Sequence, residues 1–227
     1  MYWQEKSKED RIVVPDDIVD LVFTIRCKSL PMDHAWPLAE ALLAKLPWLK
    51  DEAGVHPFQI SESGNGWMRS EDPDELLHLS RRTKLVLRLP QDRVAETEAL
   101  SGQILNVSGH ELELLKASQR KLSSLTTLFS RYIVAETGDT EAVFVDKIAQ
   151  RLLGIGVRPR KMLPGRERRL RSPEGELLTR SLMLAEVSLE ESVVLQQQGL
   201  GEHRYMGCGM FVPHKDISEI SPEQIMQ

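Results

Sequence analysis

The chain has 227 residues, 41% of them hydrophobic and 28% charged, which fits one large domain or two of ordinary size with a real buried core. Its 29 Lys and Arg against 34 Asp and Glu, a formal net charge of −5, argue against a general nucleic-acid coat, which would carry a global positive field. No run approaches the roughly 18 apolar residues of a membrane span, and the start MYWQEKSKED lacks the basic-then-apolar order of a secretion signal. A cytoplasmic protein with no membrane partner is therefore expected.

In chain order, partial alternation predicts a first strand over Ile18 to Cys27. A helix follows from Asp33 to Leu46: Leu38, Leu42 and Leu46 recur every fourth residue, Asp33 is the expected cap, Pro37 fits only the first turn, and Pro47 ends the run. Strands are predicted over Val55 to Ser61 and Leu79 to Pro90, then a helix over Arg93 to Leu100 stopped by Gly102. An alternating hairpin from Ile104 to Leu115, turned at Ser108-Gly109, closes this half. The second half repeats the order in looser form. A strand spans Leu125 to Glu136, and a helix runs from Thr140 to Leu153, capped by Asp139 or Thr140 and stopped by Gly154. An arginine-rich strand pairs with Leu177 to Val187 across Pro173-Glu174-Gly175, and a helix from Leu189 to Gln198 leads through a glycine-rich loop into a last strand. The fold class is α+β, two ferredoxin-like (RRM-like) βαββαβ domains in tandem, over residues 1–120 and 121–213, with 214–227 left as a flexible tail or a docking segment.

Three features carry chemistry. Arg158, Arg160, Lys161, Arg166, Arg168, Arg169 and Arg171 fall in one stretch whose single acid is Glu167; such a strip on an acidic body fits one defined anionic ligand, or else is a solvated charge run. The loop GLGEHRYMGCGMFVP sets Gly199, Gly201, Gly207 and Gly209 among His203 and Arg204. It matches neither nucleotide-binding glycine pattern, and is either a tight turn or a set of N–H groups that cradles a polynucleotide backbone. The third feature is His34, placed where the first strand passes into the first helix. Unpaired N–H groups and partial positive charge there attract phosphate and favour neutral imidazole. It either caps the helix or acts as a general acid or base on RNA, whose 2′-hydroxyl is a built-in nucleophile. His78-Leu79-Ser80 resembles half of the paired signature of two-histidine phosphoesterases, but the chain has no second copy. Cys27 and Cys208 lack CxxC companions, so neither a disulfide framework nor a zinc site is expected. No metal or other cofactor is assigned.

The segments VDLVFTIRCKSLPMDHAWPLAEALLAKLPWL, with its LPxDH core, and SLEESVVLQQQGLGEHRYMGCGMFVP, with its GLG…MGCGxFVP ending, resemble the Cas6 family of CRISPR RNA-processing endoribonucleases, in particular its Cmx6 subgroup of myxobacterial-type systems. The resemblance runs from about Ile18 to Pro213. It implies cleavage of a precursor CRISPR RNA within its repeat, without metal, to a 2′,3′-cyclic phosphate and a 5′-hydroxyl, often with the product hairpin retained. It makes His34 the general acid or base. The four glycines, with His203 and Arg204, fall on the family's glycine-rich loop, and the Arg158 to Arg171 strip on the hairpin that grips the RNA stem. Some members use a tyrosine and a lysine beside the histidine; here Lys45 is about three turns along the helix, and Tyr2, Tyr132 and Tyr205 lie elsewhere in sequence. Ser29 before the helix and Tyr205, brought in by folding, are the remaining candidates for the catalytic set. The implied partner is a CRISPR repeat stem-loop, with other Cas effector-complex subunits as further partners. Two other readings are a non-catalytic subunit that holds the guide's hairpin and a protein-interaction module without RNA. The catalytic reading needs His34 beside the groove lined by the basic strip.

Overall fold

Alternation along IVDLVFTIR turns Val19, Leu21, Phe23 and Ile25 into the core, and they form the buried side of the first strand. The computed structural model describes residues 14–58 and 75–214. In chain order the first half gives β1 (Ile18–Arg26), β2 (Ser29–Pro31), α1 (Ala35–Leu43), α2 (Leu49–Glu52), β3 (Gly54–Val55), β4 (Leu76–His78), β5 (Lys84–Pro90), α3 (Val94–Glu98), β6 (Ile104–Val107) and β7 (His110–Arg120). The second half gives β8 (Leu128–Val134), α4 (Glu141–Gly154), β9 (Lys161–Ser172), β10 (Gly175–Ala185), α5 (Leu189–Gln198) and β11 (Phe211–Pro213).

The first sheet has the order β3-β5-β1-β7-β6 and the second β11-β8-β10-β9, every pairing antiparallel. Taking β1, β3, β5 and β7 as one set and β8, β9, β10 and β11 as the other, both sheets run fourth-first-third-second. That is the ferredoxin-like order, so the tandem architecture stands. β6 is an added edge strand, and β2 with β4 forms a separate two-stranded ribbon.

Several boundaries differ from the sequence expectation, each for a local reason. The long strand expected over Leu79 to Pro90 begins only at Lys84, because Thr83 N–H closes a turn on the Ser80 carbonyl. The strand expected from Val55 to Ser61 shrinks to Gly54–Val55, and residues 59–61 lie outside the described residues, as does the tail beyond His214. Asp33 does not cap α1. His34 occupies that position, and the Asp33 carboxylate instead accepts the Arg171 amide of β9 at 2.8 Å. Gly154 ends inside α4, and the chain turns away at Gly156, whose φ of 79° lies in the left-handed region. The caps at Thr140 and Ser188, the latter a capping box with Glu191, follow their local sequence.

Two apolar clusters result. One lies under α4 and α5 and includes Phe144, Ile148, Leu182, Leu184 and Phe211. The other fills the first half and takes in Tyr132, Leu170, Tyr205, Met206 and Cys208 from the second, so the two sheets share a core. A buried polar tie crosses the same junction. Arg88, 3% exposed, donates to Asp20 Oδ1 (2.8 Å) and Oδ2 (3.3 Å) within its own sheet, and to the carbonyls of Gln196 (3.0 Å) and Phe211 (2.8 Å) in the other half.

Candidate active site

His34 stands at the N-terminus of α1 with φ −97° and ψ 0° and is 4% exposed. Its Nδ1 lies 2.9 Å from the Pro31 carbonyl, which can only accept, so Nδ1 carries the proton and Nε2 keeps its lone pair. Burial is the main cause that pushes its pKa down to about 4. The Pro31 carbonyl works against that shift and the Arg131 charge adds to it. The ring packs on Phe58, centroids 5.4 Å apart. The outcome is a neutral imidazole in its base tautomer at neutral pH. It is buried, yet not remote from the basic strand: its neighbour Asp33 is hydrogen-bonded to Arg171 of β9, and Arg131 of β8 is within electrostatic reach.

Ser29 pairs with His78 at the far end of β2 from Pro31, and it is half-buried. Tyr205 lies in a short 3₁₀ turn, Arg204–Met206, that packs against α1; it is 7% exposed, and its hydroxyl meets His203 Nδ1 at 3.1 Å. Burial, then Glu174, raises its pKa. Folding thus brings Tyr205 to α1 but occupies its hydroxyl with His203.

The glycine loop departs from the phosphate-cradle expectation. The amide of Gly199 donates to Leu195 O, that of Gly207 to Arg204 O and that of Gly209 to Tyr132 O, so three of the four glycine N–H groups are already used. Gly207 and Gly209 are buried at close approaches. A Cβ on Gly207 would meet Pro57 Cγ at 2.7 Å, and one on Gly209 would meet the Leu200 carbonyl oxygen at 2.0 Å. What these glycines admit is the protein's own chain. Only Gly201 is exposed. Arg204 is also spoken for, its guanidinium bridging the Gln198 carbonyl (3.0 Å) and the Asp51 carbonyl (3.2 Å) across the two halves. His203, in the left-handed region with φ 60°, is half-buried against Tyr205.

The basic strip does form an exposed hairpin edge, but not with one face. A bulge in β9 separates the pairs Glu167–Arg180 and Pro164–Leu182. Register then sets Arg169 and Arg171 on the side of Arg180, whose guanidinium covers Phe144 of α4. Lys161 and Arg168 fall on the opposite side. Arg169 pairs with Glu176 (2.9 Å) and Lys161 with Glu186. Arg158, Arg160 and Arg166 are exposed and form no ion pair among the described residues.

Sequence reasoning did not single out Arg131. A lone arginine inside the apolar strand LFSRYIV was the available signal, but a bulge in β8 decides which way it faces. Among the described residues no group of three or more His, Cys, Asp or Glu could hold a metal ion, and no helix is long and apolar enough to cross a membrane.

Comparison with known proteins agrees with this architecture. The family model described as Cas6 Crispr matches residues 19–216. The CRISPR-associated endonuclease Cas6 of Myxococcus xanthus (strain DK1622) is 33% identical over 195 residues, 86% of this chain and 81% of that protein. Among solved structures, a CRISPR associated protein Cas6 superposes with a TM-score of 0.57 at 12% identity, over 87% of this chain and 100% of the other. A Cas6-related protein from Pyrococcus furiosus gives 0.55 at 13%, over 88% and 99%. With a family model spanning both sheets and a relative aligned over most of its length, the chain belongs to the Cas6 family.

Proposed function

We propose that this chain is a CRISPR-repeat endoribonuclease that needs no metal. The observation that carries the reading is His34: a neutral imidazole with Nδ1–H held by the Pro31 carbonyl and Nε2 free, at the seam between the two halves. In this reading Nε2 takes the proton of the ribose 2′-hydroxyl before the cut. The 2′-oxygen attacks the adjacent phosphorus, and the bond to the 5′-oxygen breaks. That oxygen leaves and takes a proton from water, giving a 2′,3′-cyclic phosphate and a 5′-hydroxyl, and the His34 imidazolium gives its proton back to solvent. Acid–base help of this kind is worth on the order of 10²- to 10⁴-fold. Residues 1–120 supply the base, and residues 121–213 the surface that holds the repeat hairpin. Arg158, Arg160 and Arg166, exposed and without an ion pair among the described residues, are the cations most open to stem phosphates, and A-form RNA offers backbone and shape more than base edges. The Myxococcus xanthus relative is named an endonuclease, which supports the enzymatic reading.

One observation favours the rival, a subunit that holds the guide's hairpin without cutting it: His34 is only 4% exposed, so the scissile ribose must open its pocket to reach Nε2. The two readings part in a single assay. In EDTA the protein should cut repeat RNA and leave intact a copy with one 2′-deoxy nucleotide before the cut. His34→Ala should abolish cutting with affinity nearly unchanged. Binding without any shortening of the RNA establishes the rival, and scission of both copies overturns attack by the 2′-oxygen.

A further inference from the structure

The face of the second sheet turned away from α4 and α5 carries groups that the reading above leaves unused. Register sets Phe129 of β8 between Met183 of β10 and Val212 of β11. Its strand neighbour Leu128 points the other way, into the core under the helices. The Phe129 ring is half-buried, and the exposed His214 ring lies beside it, centroids 6.1 Å apart and tilted by 55°. On the edge strand, Leu163 pairs with Met183 and is 57% exposed. An aromatic ring thus lies among partly exposed apolar side chains at the end of this face away from the shared core.

Two residues along β8 toward the seam is Arg131. The β8 bulge sets Arg131 and Tyr132 against one residue of β10. Arg131 Nε donates to the Tyr132 hydroxyl at 3.0 Å, and its guanidinium lies 5.6 Å from that ring's centroid. It is half-buried, and among the described residues no carboxylate pairs with it. A cation that is partly withdrawn from water, fixed in orientation and without an anion is poised to take one. Phe129 and Arg131 are separated by roughly 7 Å along the strand, the reach of one nucleotide from phosphate to base.

We infer that Phe129 and Arg131 form a nucleotide subsite, in which Phe129, flanked by His214, stacks an unpaired base next to the cut and Arg131 binds the phosphate on the His34 side. This rests on the RNA-processing reading. Ferredoxin-like sheets that bind single-stranded RNA stack bases on aromatic side chains of the open face. Aromatic residues make up only 5% of the chain, so the site is a single platform and not a track. Stacking tolerates any base, so the subsite positions the strand at the cut without dictating sequence.

The test uses a cleavage-blocked repeat RNA, 2′-deoxy before the cut, and copies of it that each lack one base near that position. Affinity is measured by fluorescence anisotropy for wild type, Phe129→Ala, Phe129→Leu and Phe129→Trp. The base-complete RNA should bind Phe129→Ala and Phe129→Leu about tenfold more weakly, while Phe129→Trp binds as wild type. For one abasic copy wild type should lose the same factor and Phe129→Ala should lose nothing further. Arg131→Gln should flatten the dependence of log affinity on log salt by about one phosphate contact. An equal loss on every copy, or no loss on any, overturns the subsite while the RNA-processing reading stands. If wild type binds none of the RNAs, it is the RNA-processing reading itself that falls.

Discussion

Arg88 is the residue whose removal should cost this fold most. Replacing it with methionine keeps the unbranched stem but removes the guanidinium from the Asp20 carboxylate, 2% exposed, leaving buried His56 at 3.4 Å. It also leaves the Gln196 and Phe211 carbonyls without their donor. Breaking a buried pair by deleting one member costs about 3–5 kcal/mol, and a stranded carbonyl about 1 kcal/mol at the low end. Arg120 still reaches Asp20 Oδ2 at 2.9 Å from a 59% exposed position, which offsets part of this, so Arg88→Met should lose about 4 kcal/mol. For a chain of this size that is a fall in Tm of about 8–16 °C. Urea titration gives the free energy and calorimetry the Tm. Because much of the loss is an uncompensated carboxylate, the double variant Asp20→Leu with Arg88→Met should be more stable than Arg88→Met alone. A single variant within about 1 kcal/mol of wild type, or a double variant as costly as the summed single changes, would refute the reasoning.

Further outcomes are expected. His34 has a pKa of about 4 in the fold against an ordinary 6.5, so the unfolded chain takes up its proton first; stability should fall by up to about 3 kcal/mol as pH drops from 6.5 to 4. His34→Asn should flatten that part of a stability-versus-pH curve. Asp20, which burial alone would raise but which His56 and Arg88 hold far below the carboxylate range, adds its loss only below about pH 4. The rate of RNA cutting under single turnover should stay level down to about pH 5, since the base is already neutral there; an acid limb centred near 6.5 would show that His34 is solvated in the complex. Gly209→Ala, at φ 64° and facing the Leu200 carbonyl, should cost about 3 kcal/mol or more. Gly201→Ala, at φ 82° with its nearest atom 3.9 Å away, should cost only about 1 kcal/mol in the same urea titration. Replacing Arg158, Arg160 and Arg166 by Gln should reduce the slope of log affinity against log salt by up to about 3 if all three touch phosphates.

Much of the architecture was legible because amphipathic period and punctuation agree. IVDLVFTIR alternates, Ser108-Gly109 turns a hairpin, and Ser188 with Glu191 opens α5 where the sequence says it should. What stayed hidden is which face a side chain takes. A bulge inserts one residue and flips everything beyond it. Alternation alone sets Arg168 opposite Arg169 and Arg171 on β9, the β9 bulge moves Lys161 to the Arg168 side, and the β8 bulge lets Arg131 and Tyr132 share one side. The glycines had a further ambiguity. Residue type says that the backbone needs room or a positive φ, but not whether a ligand or the chain itself fills the space. At Gly207 and Gly209 it is the chain, through Val55, Pro57 and Leu200. Asp33 misled for a similar reason: a good capping residue was drawn off by a partner 138 positions away.

Those glycines bear on chemistry all the same, by position and not by contact with a phosphate. The proposed base, His34, belongs to the first half and the Arg131 guanidinium within electrostatic reach of it to the second, so their spacing is set by whatever locks the halves together. Gly209 N–H holds the Tyr132 carbonyl at 2.7 Å, next to Arg131. Gly207 admits Pro57 and Val55, and the following residue, Phe58, packs on the His34 ring. One loop therefore presses on both members of the pair, and Arg88, bonded to the Gln196 and Phe211 carbonyls at either end of that loop, ties the same part of the seam. A side chain at Gly207 would push the 55–58 segment away and shift the imidazole relative to Arg131 without touching either. The glycine loop and His34, far apart in sequence, are thus linked through the packing of residues 55–58.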